Sequence, residues 1–228
     1  TVMADSFAPT ARTRLRRRPQ RGHYDRKTVH GILDAAFICH VGYLIEGKPV
    51  VTPTAYWREG DAIYWHGSAA SGMLRALEKG ADVCVTVTIL DGLVLARSAF
   101  HHSLNYRSVM MFGRAHKVED QDRKRARMEA FMERLYPGRT EELERLRPVR
   151  KQELKAITVL GLQLDEVSAK IRSGPPVDDE EDYALPIWAG VLPVNGVIGA
   201  PVDDGRLAKG ARLRRHLADL AHLGLPKR

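Results

Sequence analysis

Three stretches of this chain carry side chains whose types and spacing could do chemistry. In WHGSAASGM (65–73) a strand is expected to end at His66-Gly67, small residues follow through Ser68, and Ser71 stands where a helix would begin. Unpaired backbone N–H groups and the positive end of a helix dipole converge at such a turn, so a phosphate would fit there. The spacing is neither that of the Gly-x4-Gly-Lys-Ser/Thr phosphate loop nor that of the GxGxxG dinucleotide loop, and a capped helix after a tight turn explains the local pattern equally well. In HHSLNYRSVMMFGRA (101–115) Tyr106, Arg107 and Ser108 open a strand. Arg107 offers a fork of donors suited to phosphate and Ser108 adds a hydroxyl; the plainer reading is a surface arginine on a strand. His101 and His102 would point to opposite faces of that strand and so could not hold one metal together. In SAKIRSGPP (168–176) Lys170 and Arg172 lie two residues apart and project to the same side of an extended chain, with Trp188 following in WAGVLP (188–193). An exposed basic strand end is the plain alternative there.

These groups must be positioned by a chain that reads as mainly β with helices. Val29, Ile32, Leu33 and Ala36 form one face of a helix over 28–36, with Thr28 as its cap. Segments 37–45 and 49–57 read as a hairpin, and Glu59-Gly60-Asp61 turns into a third strand at 62–67. A short helix over 71–80 has Ser71 in the cap position and Gly80 just past its end. Valines at 83, 85 and 87 alternate with Cys84, Thr86 and Thr88, the period of a strand with two different faces. Asp91-Gly92 then predicts a two-residue hairpin turn into 93–102, with a further strand over 105–118. A charged amphipathic helix spans 119–136, further helical turns are expected at 141–147 and 151–156, and 157–167 returns to strand. The proline-bearing 183–194 reads as an edge strand or an ordered loop. Six or seven antiparallel strands joined by short turns point to a small closed barrel with appended helices.

Charge is distributed unevenly. The 228 residues hold 36 Lys plus Arg against 28 Asp plus Glu, a formal net charge of +8. Residues 1–27 carry eight of the bases against two acids and 205–228 carry seven against one, so the body between is mildly acidic. A nucleic-acid function would have to live in the tails, where a solvated basic arm is the better reading. No run approaches the roughly 18 apolar residues of a membrane span, and the first 30 residues lack a secretory apolar block, so a cytoplasmic protein is expected. Cys39 and Cys84 have no metal-type spacing and are expected as free thiols; no metal site is expected. The organisation expected is a basic arm (1–27), a barrel domain (28–204) and a basic helical tail (205–228). Residues 1–20 are expected to be dispensable, and 213–223 to form a helix.

The ordered set HGS (66–68), DGLVLARSAFHHSLNYRSV (91–109), FGRA (112–115), SAKIRSGPP (168–176) and WAGVLP (188–193) resembles the pyridoxamine 5′-phosphate oxidase-like split-barrel flavoproteins, in the subgroup related to nitroimidazole reductases. The likeness runs from about Tyr24 to Val194. It implies an α+β split β-barrel with peripheral helices and a homodimer holding FMN, or FAD in some members, in clefts at the dimer interface. It also implies roles by residue. Pro53 and Thr54 would present backbone groups to the flavin ring; His66, Gly67, Ser68 and Ser71 would receive the phosphate or ribityl chain. Tyr106, Arg107 and Ser108 would approach the cofactor, Trp188 would reach the ring, and Arg172 would lie near the same cleft. Met73 stands where the oxidases proper carry a basic residue, and their C-terminal substrate-binding Arg and His have no counterpart, so pyridoxamine phosphate oxidation does not follow. The function implied is an FMN-dependent oxidoreductase acting on a small molecule or a nicotinamide, with catalytic residues unassigned; the alternative is a flavin-nucleotide carrier or sensor without turnover.

Overall fold

The computed structural model describes residues 5–139, 146–215 and 217. Most of the helix expected over 213–223 and of the turn over 141–147 lies outside the described residues. The chain forms two compact units, Thr1–Val118 with Ile157–Val194, and Glu119–Ala156 with Asn195–Arg228.

The first unit is a mostly antiparallel split β-barrel. Its strands are β1 (Gly22–His23), β2 (Ile38–Ile45), β3 (Lys48–Glu59), β4 (Ala62–Ser68), β5 (Asp82–Leu95), β6 (Ser103–Arg114), β7 (His116–Lys117), β8 (Ile157–Gln163), β9 (Glu166–Arg172) and β10 (Gly190–Pro193). They pair in the order β1-β9-β6-β5-β2-β3-β4-β8-β7, with β10 also on β5. The strands expected at 37–45, 49–57, 62–67, 82–90, 105–118 and 157–167 correspond to β2, β3, β4, β5, β6 and β8; the expected 157–167 strand ends early at Gln163, β9 follows as a separate strand, and short β1, β7 and β10 extend the sheet. The β2–β3 hairpin runs in full register from Ile38↔Ala55 to Ile45↔Lys48. Its turn residues Glu46 and Gly47 both adopt positive φ, 50° and 76°, as a tight hairpin turn requires.

Asp91-Gly92 departs from expectation. It does not turn; β5 runs straight through it as a 14-residue strand, with an irregularity in the β6 pairing between Leu90 and Gly92. Gly92 is required by proximity, because a Cβ there would sit 2.8 Å from Val191 Cγ1 on β10. Residues 96–102, expected as strand, form a loop. A second difference is at α1 (Arg26–Ala35), whose cap is Asp25 and not Thr28: its carboxylate accepts from the Thr28 N–H at 2.8 Å. Val29, Ile32 and Leu33 of α1 are buried as their spacing predicts, against Val41, Val85, Val87, Val109 and Met111 from the sheet.

The N-terminal segment belongs to this unit. The Phe7 N–H donates to Tyr24 O and the Arg26 N–H to Asp5 O, while the Tyr24 hydroxyl donates to Thr13 O and accepts from Leu15 N, each at 3.0 Å. Phe7 and Thr13 are buried; Arg14, Arg16, Arg17 and Arg18 are exposed. Arg12 pairs with Glu166 on β9 and stacks over the Phe112 ring of β6 at 4.9 Å. α2 (Gly72–Leu77) buries Met73, Leu74 and Leu77.

The second unit holds α3 (Gln121–Leu135) and α4 (Lys151–Lys155). Asp120 caps α3 by accepting from the Arg123 N–H at 2.8 Å. In α4 Glu153 accepts from the Arg150 N–H and from Arg147, which together hold its carboxyl down at about 2. Among the described residues no helix is long and apolar enough to cross a membrane.

Candidate functional site

Paired strands set which side chains share a face. Tyr106 on β6 lies opposite Leu90 and Arg172, and Ser108 opposite Thr88 and Lys170. Tyr106, Ser108, Lys170 and Arg172 therefore stand on one face of the adjacent strands β6 and β9. The Ser108 hydroxyl donates to Lys170 O at 3.2 Å. Arg172 donates through Nη1 to Oδ1 of the buried Asn105, whose Nδ2 donates to Gly174 O at 3.1 Å. Burial, and secondarily the nearby charge of Arg21, lowers the Arg172 pKa.

Arg107 points to the opposite face. Its Nε and Nη2 donate to the two carboxylate oxygens of Asp91, both at 2.8 Å, and that bidentate contact raises its pKa. The fork expected to serve a phosphate is thus closed on a carboxylate in the same sheet.

At the end of β4 the strand-to-helix turn satisfies much of itself. The Ser68 hydroxyl accepts from the Ala70 N–H at 3.2 Å, Ser68 O accepts from the Ser71 N–H at 2.8 Å, and Arg75 folds back to donate to Ala69 O. Ser71 precedes α2 but makes no side-chain cap. A Cβ on Gly67 would lie 3.1 Å from Leu74 Cδ1, so the glycine lets α2 close on β4. His66 is half-buried beside Trp57, ring centroids 6.1 Å apart, and burial lowers its pKa. Pro53 and Thr54 sit opposite His40 and Cys39: Pro53 is exposed and Thr54 shares the side of the buried Cys39. Only backbone groups of the pair can therefore serve one ligand. Trp188 is 64% exposed ahead of β10, its ring lying against Gly190, where a Cβ would be 2.9 Å from Cη2.

Within one chain these groups form two clusters. Tyr106, Ser108 and Arg172 lie on β6 and β9, while Pro53, Thr54, His66, Gly67 and Ser68 lie on β3 and β4, with β5 and β2 between. Three strand spacings separate β6 from β3, roughly 15 Å.

A cavity that sequence reasoning missed adjoins Arg172. It has a volume of about 360 Å³ and is lined by Gln20, Arg21 and His23 from the N-terminal segment and by Ile171, Arg172 and Ser173 at the end of β9. The missed signal was Gly22-His23, a two-residue strand that pairs with Lys170 and Ala169 and carries the basic segment onto the sheet. His101 and His102 sit in the loop, facing Asp179 Oδ2 at 3.3 Å and Ser98 O at 2.9 Å. Among the described residues no cluster of His, Cys, Asp and Glu could hold a metal ion.

The model of the pyridoxamine 5′-phosphate oxidase family matches residues 25–171. Among solved structures, the flavocytochrome Anf3 from Azotobacter vinelandii is 45% identical, with a TM-score of 0.87, over 94% of this chain and 98% of that one. The FAD and heme binding protein from Mycobacterium smegmatis is 37% identical, with a TM-score of 0.83, over 88% and 97%. A Bacteroides thetaiotaomicron protein described as a candidate for 5-nitroimidazole antibiotic resistance is 23% identical, with a TM-score of 0.54, over 64% and 84%, a likeness of fold. No curated protein matches the chain.

Proposed function

The chain belongs to the pyridoxamine 5′-phosphate oxidase family, and from that membership we propose that it is a homodimeric flavoprotein oxidoreductase that also carries haem. The observation that carries this reading is that two proteins alike to it over nearly their whole length are a flavocytochrome and an FAD and heme binding protein. We take the flavin to be FAD, after the Mycobacterium smegmatis relative, with FMN as the alternative that binding measurements separate. Bound flavin supplies two-electron hydride chemistry and haem supplies one-electron exchange.

The chain's own residues suit such groups. Tyr106, Ser108, Lys170 and Arg172 offer a polar, cationic face for a flavin nucleotide. The exposed Trp188 would shield a ring from water. Two imidazoles of the candidate site offer the donor chemistry that haem iron takes. One is His23, which lines the cavity. The other is His66, which burial favours in its neutral, lone-pair form.

The dimer is supported by the separation of the two clusters, since a second copy can bring its β3–β4 residues to the β6–β9 face of the first. It is supported also by the exposed apolar residues on the outer side of the sheet. Val51 is 64% exposed and Ile38 56%, with Leu90 and Met110 exposed on the same face of the paired strands, apolar surface that two-fold pairing would cover. The free thiols Cys39 and Cys84 suit a reducing compartment, and we place the protein in the cytoplasm with a nicotinamide or another small molecule as electron donor.

The test is the absorption spectrum of the purified protein after supply of FAD and hemin, with its sedimentation. Stoichiometric flavin and haem bands on a species of twice 25.5 kDa are expected. Turnover with a nicotinamide donor separates the enzyme from a carrier. A protein that takes up neither group overturns the reading.

A further inference from the structure

The half-buried arginines of the barrel unit divide into two kinds. Arg26, Arg58, Arg97 and Arg107 each face a carboxylate: Asp61, Asp34, Asp178 and Asp91. Arg21 and Arg172 form no ion pair among the described residues, and the cavity they line together with His23 contains no acidic side chain. Arg172 has a neutral partner, Asn105, which aims the guanidinium without cancelling its charge. Two half-buried guanidiniums facing one space repel each other and lose hydration, a cost that an anion between them would offset. The burial of Arg172 and the charge of Arg21 both depress its pKa, which reports this same crowding of positive charge. At about 360 Å³ the cavity is near the lower end of the ~300–1,000 Å³ common for ligand sites, room for an anionic group and a short length of what bears it.

We propose that this cavity is an anion subsite of the cofactor site, in which Arg21 and Arg172 clasp a phosphate or carboxylate of the bound cofactor and His23 adds a hydrogen bond. The inference rests on the flavin and haem reading for the identity of the bearer, but not for the presence of the anion site. It gives the N-terminal segment a role: docking of residues 5–23 builds half of the clasp. It also moves the charge that grips the cofactor from Arg107, which Asp91 already holds, to a pair that no carboxylate holds.

The experiment uses the full chain, wild type against Arg21→Gln/Arg172→Gln and the charge-keeping Arg21→Lys/Arg172→Lys. Probes are inorganic pyrophosphate, read by thermal shift, the series riboflavin, FMN and FAD, read by flavin fluorescence, and hemin with its dimethyl ester, read by absorbance. Pyrophosphate should raise the melting temperature of the wild type and of the Lys variant, and not that of the Gln variant. The Gln variant should bind the anionic form of one cofactor roughly 10- to 100-fold more weakly, the loss of one or two charged hydrogen bonds, with its uncharged counterpart unaffected. Loss confined to FMN and FAD identifies a flavin phosphate; loss confined to hemin and absent for its ester identifies the propionates. If neither cofactor binds the wild type but pyrophosphate discriminates the variants, the anion site stands and the cofactor reading fails. If pyrophosphate is indifferent to the variants, or if charged and uncharged ligands lose affinity equally, the proposal is overturned.

Discussion

Truncating Phe7 to alanine tests whether the N-terminal segment is part of the folded barrel. The ring is 6% exposed and belongs to the main apolar cluster with Val29, Ile32 and Leu33. The Arg26 guanidinium lies over it at 4.1 Å and His30 meets it edge-on at 6.1 Å. Removing a buried phenyl costs ~3–5 kcal/mol in a closed core. Phe7 lies in a segment without helix or strand that can settle into the gap, which places the loss near the lower limit, about 3 kcal/mol. The lost cation–π contact is included, since Arg26 keeps its pairing with Asp61. For a protein of this length each kcal/mol moves the melting temperature by ~2–4 °C, so a fall of about 6–12 °C is expected by calorimetry. The segment would also open more often, so trypsin should cut after the exposed Arg14, Arg16 and Arg17 sooner than in the wild type. A melting temperature within about 2 °C of wild type, with unchanged tryptic cutting, would refute the reasoning that this segment is docked through Phe7.

Three further outcomes are expected. Arg107→Ala should weaken FMN and riboflavin by the same factor, and its coupling to Asp91→Asn in a double-mutant cycle should be about 1 kcal/mol, as for a half-exposed bidentate pair; a loss selective for FMN would return the phosphate to Arg107. Burial pushes the Cys39 thiol up to about 12 and raises Cys84 as well, so a disulfide reagent near neutral pH should modify Cys84 slowly and Cys39 only on unfolding, and two fast equivalents would contradict this. Burial lowers the His66 pKa in the folded protein, so its contribution to stability is complete above the unfolded value of ~6.5 and declines as pH falls towards the folded one. His66→Gln should flatten that acid limb in urea titrations, and an unchanged limb would show that His66 is not the group responsible.

Alternation at 82–90 was enough to place β5, because a strand buried on one face must alternate, and the helix over α1 followed from its apolar spacing. At Asp91-Gly92 local preference and structure part company. The dipeptide favours a tight turn when only its own backbone matters. Here β10 pairs along the same strand and needs a residue without Cβ opposite Val191, while Arg107 engages the Asp91 carboxylate. Both partners are remote in sequence, roughly 16 residues away for Arg107 and 100 for Val191, and so lay beyond local reasoning.

The candidate site divides in the same way. By itself the sequence determined the strand that bears Tyr106 and Ser108, the shared side of Lys170 and Arg172, and the resemblance that ties the segments together, because side-chain period and residue type are local properties of a chain; the common face of the two pairs came from the register of β6 on β9. Only the tertiary structure decided which cations are spent and which are available. Arg107 is neutralised by Asp91, the Ser68–Ser71 turn uses its own N–H groups, and Arg21 meets Arg172 because Gly22 and His23 pair with β9. A charge's availability depends on what lies within a few ångströms in space, and pairing between distant segments sets that neighbourhood.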